Sequence, residues 1–337
     1  MISGTETMQE RFSIDALLAA LRAAGESSRL RILSLLHQAE LSVKDLTAIL
    51  GQSQPRISRH LKLLSDGGLI DRYPEGAWVF YRLTEGRAGR RFADELLAAA
   101  DPDDPVLARD RERLAQIKQD HASEADRYFT ENAGAWDKIR ALHVAEDAVE
   151  TAVADLIGER PFDSLLDLGT GTGRMLELLN PLYSRAIGVD ASSSMLAVAR
   201  ANLDRAGIGN VQVRLGDIYN LPLPRDSFNL VVVHQVLHFL DDPERALAEA
   251  ARVLRPGGRL LIVDFAPHDL EFLREEHAHR RLGFGRDQVA QWVQAPGLKL
   301  DQVVELPSGD DDELKVILWL ARDQRIAVAG DADREVA

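Results

Sequence analysis

Apolar residues along the chain follow two rhythms. From Phe12 to Leu64 they recur at three- and four-residue spacing, the period of helices with one buried face. Phe12, Leu17, Leu18 and Leu21 mark a first helix, reaching Ala24. Ser27 or Ser28 is expected to cap a second, in which Leu30, Ile32, Leu33, Leu35 and Leu36 form the apolar face. Val43 to Leu50 predicts a short helix stopped by Gly51. Ser53 as cap and Pro55 in the first turn open the next, with Ile57, Leu61 and Leu64 facing inward. After Gly67-Gly68 the period drops to two. Leu69–Tyr73 and Trp78–Leu83, split by the turn Pro74-Glu75-Gly76-Ala77, predict a hairpin. Arg91 to Ala100 returns to an amphipathic helical pattern.

Asp101-Pro102-Asp103-Asp104-Pro105 reads as a hinge. Val106 to Ala122 is highly charged with sparse apolar positions, which predicts a long exposed helix. Tyr128, Phe129 and Trp136 follow, then an Ala/Val-rich helix over Leu142–Leu156. From Pro161 the rhythm alternates. Strands are predicted near 164–168, 185–189, 211–215, 228–233 and 259–264, with helices such as Ser193–Ala206 and Pro243–Val253 between them. That alternation gives a parallel, doubly wound (Rossmann-like) α/β sheet, with ligands expected beyond the carboxyl ends of its strands. Leu298–Leu306 and Leu314–Ala321 predict two closing strands. The polar tail from Asp323 is expected to be disordered. The resulting division is 1–104, a connector 105–150, 151–322, and a tail 323–337.

Composition narrows the chemistry. With 337 residues, 45% of them apolar, the chain can build two cores. It has no cysteine, which excludes disulfides, thiolate metal sites and cysteine nucleophiles. No run reaches a membrane span, and the opening residues Met1–Glu10 are polar, so a cytoplasmic protein without membrane partners is expected. Net charge is −14, unsuited to coating nucleic acid over the whole surface. Residues 54–91, however, hold eight Lys/Arg against four Asp/Glu.

That basic stretch coincides with the helix opened by Ser53. Two helices joined by a Gly-containing turn, the second polar and basic, read as a helix-turn-helix, and the following hairpin makes it a winged helix, mostly α. Gln54, Arg56, Ser58, Arg59, His60 and Lys62 are the candidate DNA contacts of the helix, with Arg72 and Arg82 approaching phosphates from the wing. A protein-binding winged helix with a merely solvated basic face is the alternative. Over residues 12–100 the segment resembles the ArsR family of dimeric bacterial repressors, through Arg29-Leu30-Arg31-Ile32-Leu33, Ser58-Arg59-His60-Leu61-Lys62-Leu63-Leu64 and Gly68-Leu69-Ile70. The resemblance implies double-stranded operator DNA as partner and a homodimer formed through the first helix and the Arg91–Ala100 helix. Metal-sensing members place cysteines near Glu40–Leu46. Here Ser42 and Lys44 stand there, so soft-metal sensing at that position is not expected and no metal is assigned.

The second region centres on Leu165-Leu166-Asp167-Leu168-Gly169-Thr170-Gly171-Thr172-Gly173. An apolar strand ends in an acid and three alternate glycines, and Met175–Leu179 then reads as helical. Such glycines let the backbone take positive φ and approach a ligand closely. A dinucleotide fingerprint would need its third glycine at Arg174, and a simple glycine turn is the bland alternative. Acid-x-Gly-x-Gly-x-Gly instead resembles the first motif of class I S-adenosylmethionine-dependent methyltransferases. The resemblance extends over 125–321 and assigns cofactor binding to Asp167, Gly169, Thr170, Gly171 and Gly173. Asp190 with Ala191 is expected at the ribose hydroxyls, and Met195 on the adenine. Gly216, Asp217 and Ile218 are expected at the adenine edge, and His234 with Gln235 beside the transferred methyl. Tyr128, Phe129 and Trp136 are candidates for a lid over the cofactor, with ordinary packing as the alternative.

The acceptor side is poorly specified, because methyl transfer depends mainly on positioning and desolvation. His234 and His238 are the catalytic candidates. His268, Asp269 and a helix over Glu271–Leu282 carrying His277 and His279 are further possibilities. The expected function is a regulator whose S-adenosylmethionine-binding domain methylates a small molecule, releasing S-adenosylhomocysteine. The alternatives are a non-catalytic sensor of these two nucleosides controlling operator binding, and an enzyme that uses its winged helix only to dimerise or bind substrate.

Overall fold

The computed structural model describes residues 11–75, 78–84, 87–133, 136, 146–306 and 314–325. The chain forms two compact units, Met1–Ala122 and Ser123–Ala337.

In the first unit, α1 (Ile14–Ala24), α2 (Ser27–Leu36), α3 (Val43–Leu50) and α4 (Gln54–Asp66) pack around Ile32, Leu33, Leu46, Ile49, Ile57, Leu61 and Leu64, all fully buried. The cap of α2 differs from expectation. Glu26, not a serine, holds the N-cap and its carboxylate accepts from the Arg29 N–H, while Ser28 is buried and bonded to Gln52. Ser53 occupies the N-cap of α4 without a side-chain bond, so Pro55 in the first turn carries that start. In α3, Ser42 and Asp45 form a capping box, two reciprocal bonds that satisfy donors otherwise orphaned at a helix start. Gly51 closes α3 in the left-handed region at φ 65°, where a side chain would be strained.

Three antiparallel strands complete this unit. β2 (Ile70–Glu75) pairs with β3 (Trp78–Leu83), and the two-residue β1 (Leu41–Ser42) pairs with the other edge of β3. The turn residues Gly76 and Ala77 lie outside the described residues. α5 (Arg87–Ala98) starts four residues earlier than the sequence predicts.

Helix α6 (Pro105–Asn132) is longer and less exposed than predicted. Asp104 starts it, its Oδ1 accepting from the N–H groups of Val106 and Leu107. Asp110 and Leu114 are buried. The reason is an ion pair hidden in the charge pattern: Arg31 donates to both oxygens of Asp110, at 2.6 and 2.7 Å.

In the second unit, α7 (Glu146–Ile157) precedes a seven-stranded sheet. Residues 142–145, expected to begin that helix, lie outside the described residues. The strands are β4 (Phe162–Leu168), β5 (Tyr183–Asp190), β6 (Val211–Leu215), β7 (Phe228–His234), β8 (Leu254–Phe265), β9 (Leu298–Leu306) and β10 (Val316–Asp323). Their order is β6-β5-β4-β7-β8-β10-β9, parallel from β6 to β8 and antiparallel at β10 and β9. Leu165, Leu166, Leu230, Val231, Leu261 and Ile262 are fully buried, as strands covered on both faces require. The winding reverses beside β4, so the carboxyl ends of β4, β5 and β7 converge on one crevice.

Two expectations fail here. The region 271–282 is not one helix: α11 covers only Phe272–Glu276, after α8 (Arg174–Leu178), α9 (Ser193–Arg205) and α10 (Pro243–Val253). Ala278 adopts a left-handed φ of 55°, which no helix continues through. Asp323 and Arg325 are also ordered. Asp323 ends β10, buried, and Arg325 pairs with it and with Asp226. Residues 326–337 lie outside the described residues.

Candidate functional site

The crevice is built at the end of β4. Gly169, Gly171 and Gly173 all take positive φ, at 70°, 52° and 87°. At Gly169 a Cβ would run into the side chain of Val236, so the loop lies flat against the segment after β7. Its backbone is anchored from the neighbouring strand, with Gly169 and Thr170 N–H both donating to the Val189 carbonyl. Asp167, buried, accepts from the Thr170 hydroxyl at 2.6 Å and braces the loop from below.

Asp190 ends β5 at the same level. One of its oxygens accepts from the Gly171 N–H and the other from the Ser192 N–H, both at 2.8 Å. A carboxylate only accepts, so Asp190 places acceptor oxygens at the strand end while bracing both segments. Ala191 is exposed beside it, and Met195 is buried in the first turn of α9, which Ser192 caps. Gly216 N–H donates to the Asp190 carbonyl, and Asp217, exposed, accepts from the Tyr219 N–H. Ile218 packs partly buried against the core. The expected cofactor residues of β4, β5 and β6 are thus brought to one end of the sheet.

At the end of β7, His234 is partly exposed and Gln235 is buried with φ 54°, a conformation costly for a residue with a Cβ. Its N–H donates to the Val263 carbonyl at 2.7 Å. The reversal delivers His238 to Asp264, the penultimate residue of β8: Nδ1 lies 2.8 Å from Oδ1. Asp264 is fully buried and also accepts from the Leu237 and Phe265 N–H groups. A carboxylate can only accept, so Nδ1 of His238 donates and its Nε2 is left as the acceptor nitrogen.

Beyond this pair is a small cavity walled by Tyr128, Trp136, Phe239, Phe265, His277 and His279. Phe129 packs edge-on against Trp136 and Phe239. Tyr128 Oη lies 2.7 Å from His277 Nδ1. Thr130 is bonded to Ser194 at the start of α9, and the Trp136 indole nitrogen lies beside Gly171. The last turn of α6 therefore borders the start of α9 and the cavity, and Trp136, beyond the helix, lies between the cavity and the glycine loop. Burial holds His268 down to about 4, and holds His279 well below the ordinary imidazole value. His277 and His279 flank the left-handed turn at Ala278, not one helix. Asp269 is exposed outside the cavity.

Asp264 and Phe239 were not singled out from sequence. The signal for Asp264 was present: an acid closing the otherwise apolar strand Leu260–Phe265.

In the first unit the basic face divides. Gln54, Arg56, Ser58, Arg59 and Lys62 are exposed along α4, and Arg72 is exposed on β2. His60 and Arg82, expected at DNA, are instead buried. His60 turns inward, its Nδ1 3.6 Å from the Glu26 carboxylate that caps α2, and burial lowers its affinity for a proton. Arg82 pairs with Glu40. Both brace the motif from within.

Two family models match: the methyltransferase domain over residues 166–262 and the bacterial regulatory protein, arsR family, over residues 26–72. An uncharacterized 37.1 kDa protein in transposon TN4556 of Streptomyces fradiae is 35% identical over 205 residues, 55% of this chain and 58% of that protein. The uncharacterized methyltransferase YcgJ of Bacillus subtilis is 38% identical over 106 residues, 31% of this chain and 42% of its own. Its crystal structure superposes with a TM-score of 0.44 at 23% identity, covering 52% of this chain and 98% of that one. The ubiquinone/menaquinone biosynthesis C-methyltransferase UbiE of Vibrio parahaemolyticus is 38% identical over 125 residues, 35% of this chain and 47% of its own. The chain thus spans about half the length of the curated relatives it matches. It joins an ArsR-family helix-turn-helix domain at its N-terminal side to a class I methyltransferase domain at its C-terminal side.

Proposed function

We propose that this protein is a DNA-binding transcriptional regulator whose second unit binds S-adenosylmethionine and transfers its methyl group to a small molecule. The observation that carries the catalytic reading is the aromatic- and histidine-walled cavity beside the ends of β7 and β8, next to the loop that suits the cofactor. A pure sensor needs the cofactor cleft alone and has no use for a second, adjoining pocket.

S-adenosylmethionine would supply an electrophilic methyl on a sulfonium. Asp190 takes the ribose hydroxyls while holding Gly171. Asp217 and Ile218 border the adenine, and Met195 supports it from the start of α9. His234 and Gln235 border the reacting end. Trp136 and Phe129 exclude water from above, which strengthens every polar interaction beneath them. His238 is the candidate base.

On the other unit, Gln54, Arg56, Ser58, Arg59 and Lys62 read operator DNA, with Arg72 at a phosphate. A homodimer is supported by the exposed apolar face of α1, where Ile14 is 79% and Leu21 47% exposed, more apolar surface than one short helix keeps in water without a partner. The sensor reading is favoured by one observation. The single helix α6 contributes Asp110 to the core of the first unit and Tyr128 to the cavity of the second.

Calorimetry of the full chain with S-adenosylmethionine and S-adenosylhomocysteine, followed by gel shift on the gene's own upstream DNA with each, tests both halves. Saturable binding of both nucleosides is expected. No heat from either would remove the methyltransferase reading.

A further inference from the structure

The cavity between α6, the end of β7 and the segment 273–279 has an unusual polar inventory for its aromatic walls. His279 is 9% exposed and faces Phe265, with ring centroids 5.8 Å apart and planes 13° from parallel. Its Nδ1 is buried without a hydrogen-bond partner among the described residues. An imidazole nitrogen left so costs free energy unless something polar meets it there. His279 also lies against His238, centroids 4.2 Å apart, and His238 is the ring that Asp264 orients.

The charge balance points to one kind of guest. Burial keeps His279, in the cavity wall, neutral at physiological pH, so it offers no cation to a carboxylate or phosphate. Arg274 donates to the Arg280 carbonyl and pairs with Glu271, and Arg280 pairs with Asp241. Tyr128, Trp136, Phe239 and Phe265 present flat faces and edges, which favour a planar ring at about 4.5–7 Å.

We propose that the cavity takes a planar aromatic acceptor carrying one ionisable hydroxyl, whose proton passes to His238 while His279 Nδ1 meets its polar edge. The inference rests on the methyl-transfer reading for its chemistry. The O–H bond breaks with its pair on oxygen, and the proton goes to Nε2 of His238, whose imidazolium is paired with Asp264. The oxygen then forms its bond to the methyl carbon as the carbon–sulfur bond opens, its pair staying on sulfur. An aryl methyl ether and a thioether result, and the proton leaves to water. Asp264 is a positioning residue: it fixes the tautomer of His238 and touches neither reactant.

The test uses the full chain and 4-nitrophenol, whose anion absorbs in the visible. At about pH 6, where the free phenol is mostly protonated, titration with protein should give a saturable phenolate band, because a positioned base shifts the bound equilibrium. His238→Gln should abolish the band while retaining binding, followed by tryptophan fluorescence. His279→Leu should weaken binding about 10-fold, one lost buried polar contact. 4-Nitroanisole, which has no proton to give, should bind more weakly than the phenol to the unaltered protein. That comparison needs no variant to fold. Equal binding of phenol and anisole, binding without ionisation, or preference for 4-nitrobenzylamine would overturn the proposal. The titration is run without nucleoside, so a protein that binds S-adenosylmethionine but no nitrophenol refutes this inference alone. One that ionises the phenol but ignores the nucleoside refutes the methyltransferase reading.

Discussion

Asp190 holds Gly171: an oxygen of the carboxylate that ends the second parallel strand accepts the N–H at the middle of the loop that ends the first, at 2.8 Å. Its other oxygen holds Ser192, the cap of the following helix. One side chain therefore fixes two of the three segments that border the crevice, before any ligand is considered.

Asp190→Ala should accordingly do two things. It should weaken S-adenosylmethionine binding by about 1–3 kcal/mol, the loss expected for a charged acceptor, and it should loosen the glycine loop. Asp190→Asn keeps an acceptor and should fall between. Calorimetry on the three proteins measures the first effect, and hydrogen exchange at Gly171 and Ser192 the second. Unchanged affinity in the alanine variant would mean that the ribose lies elsewhere.

On the DNA side the division of the basic face makes a paired prediction. Arg59 is exposed, and Arg59→Ala should weaken operator binding, lowering the slope against log salt by about 1, as for one lost phosphate contact. Arg82→Ala should leave that slope unchanged. It removes the ion pair with half-buried Glu40 and should lower stability by about 1 kcal/mol, read as an earlier urea midpoint of the first unit. Equal salt slopes for the two variants would return Arg82 to the interface.

That split was not visible in sequence. Alternation alone predicts which residues of a strand share a face, not that Glu40, from a different segment, will draw Arg82 inward. The same limit hid Asp110: a charged residue in a charged helix reads as solvated until Arg31, distant in sequence, supplies its partner. What was legible was local chemistry. Alternate glycines after a buried strand, acids closing β4 and β5, and a proline in the first turn of α4 each carry their geometry within a few residues. The parallel, doubly wound class and the presence of two closing strands follow from the regular alternation, but the order of the strands does not. The segment 271–282 misled because its polar and apolar residues allow one more helical turn, and only the left-handed Ala278 ends it.

Stability of the second unit should fall on mild acidification. His268 and His279 have folded pKa values below the ordinary 6.5, His268 at about 4. Between those values the unfolded chain binds protons that the folded chain refuses, so each group removes about 1.4 kcal/mol per pH unit at most as pH drops. Above about 6.5 both states are neutral and the effect is absent. Urea unfolding followed by tryptophan fluorescence reports mainly this unit, since Trp136, Trp292 and Trp319 lie in it. In His279→Phe the stability difference from the unaltered protein should be constant above pH ~6.5 and shift in favour of the variant below it. A difference that stays constant down to pH ~4 would show that His279 titrates normally.

The last prediction concerns communication. Helix α6 holds Asp110 on Arg31 near one end, and near the other places Tyr128 on His277 and Thr130 on Ser194. A ligand that orders the last turns of that helix acts on an element shared with the DNA-binding unit. Ser42, at the position where the ArsR resemblance would place a soft-metal ligand, caps α3 with Asp45. For a ligand to matter it must bind the DNA-competent and DNA-released forms with different affinity, and such coupling is typically about 1–3 kcal/mol. Operator affinity should then differ by roughly 5- to 150-fold between at least two of the apo, S-adenosylmethionine and S-adenosylhomocysteine states. Linkage requires operator DNA to change nucleoside affinity by the same factor. Tyr128→Phe removes the bond to His277 while keeping the ring, so it should reduce the coupling without abolishing either binding event. Operator titrations that coincide in all three states, with nucleoside binding confirmed by calorimetry, would exclude the sensor reading and leave catalysis as the role of the second unit.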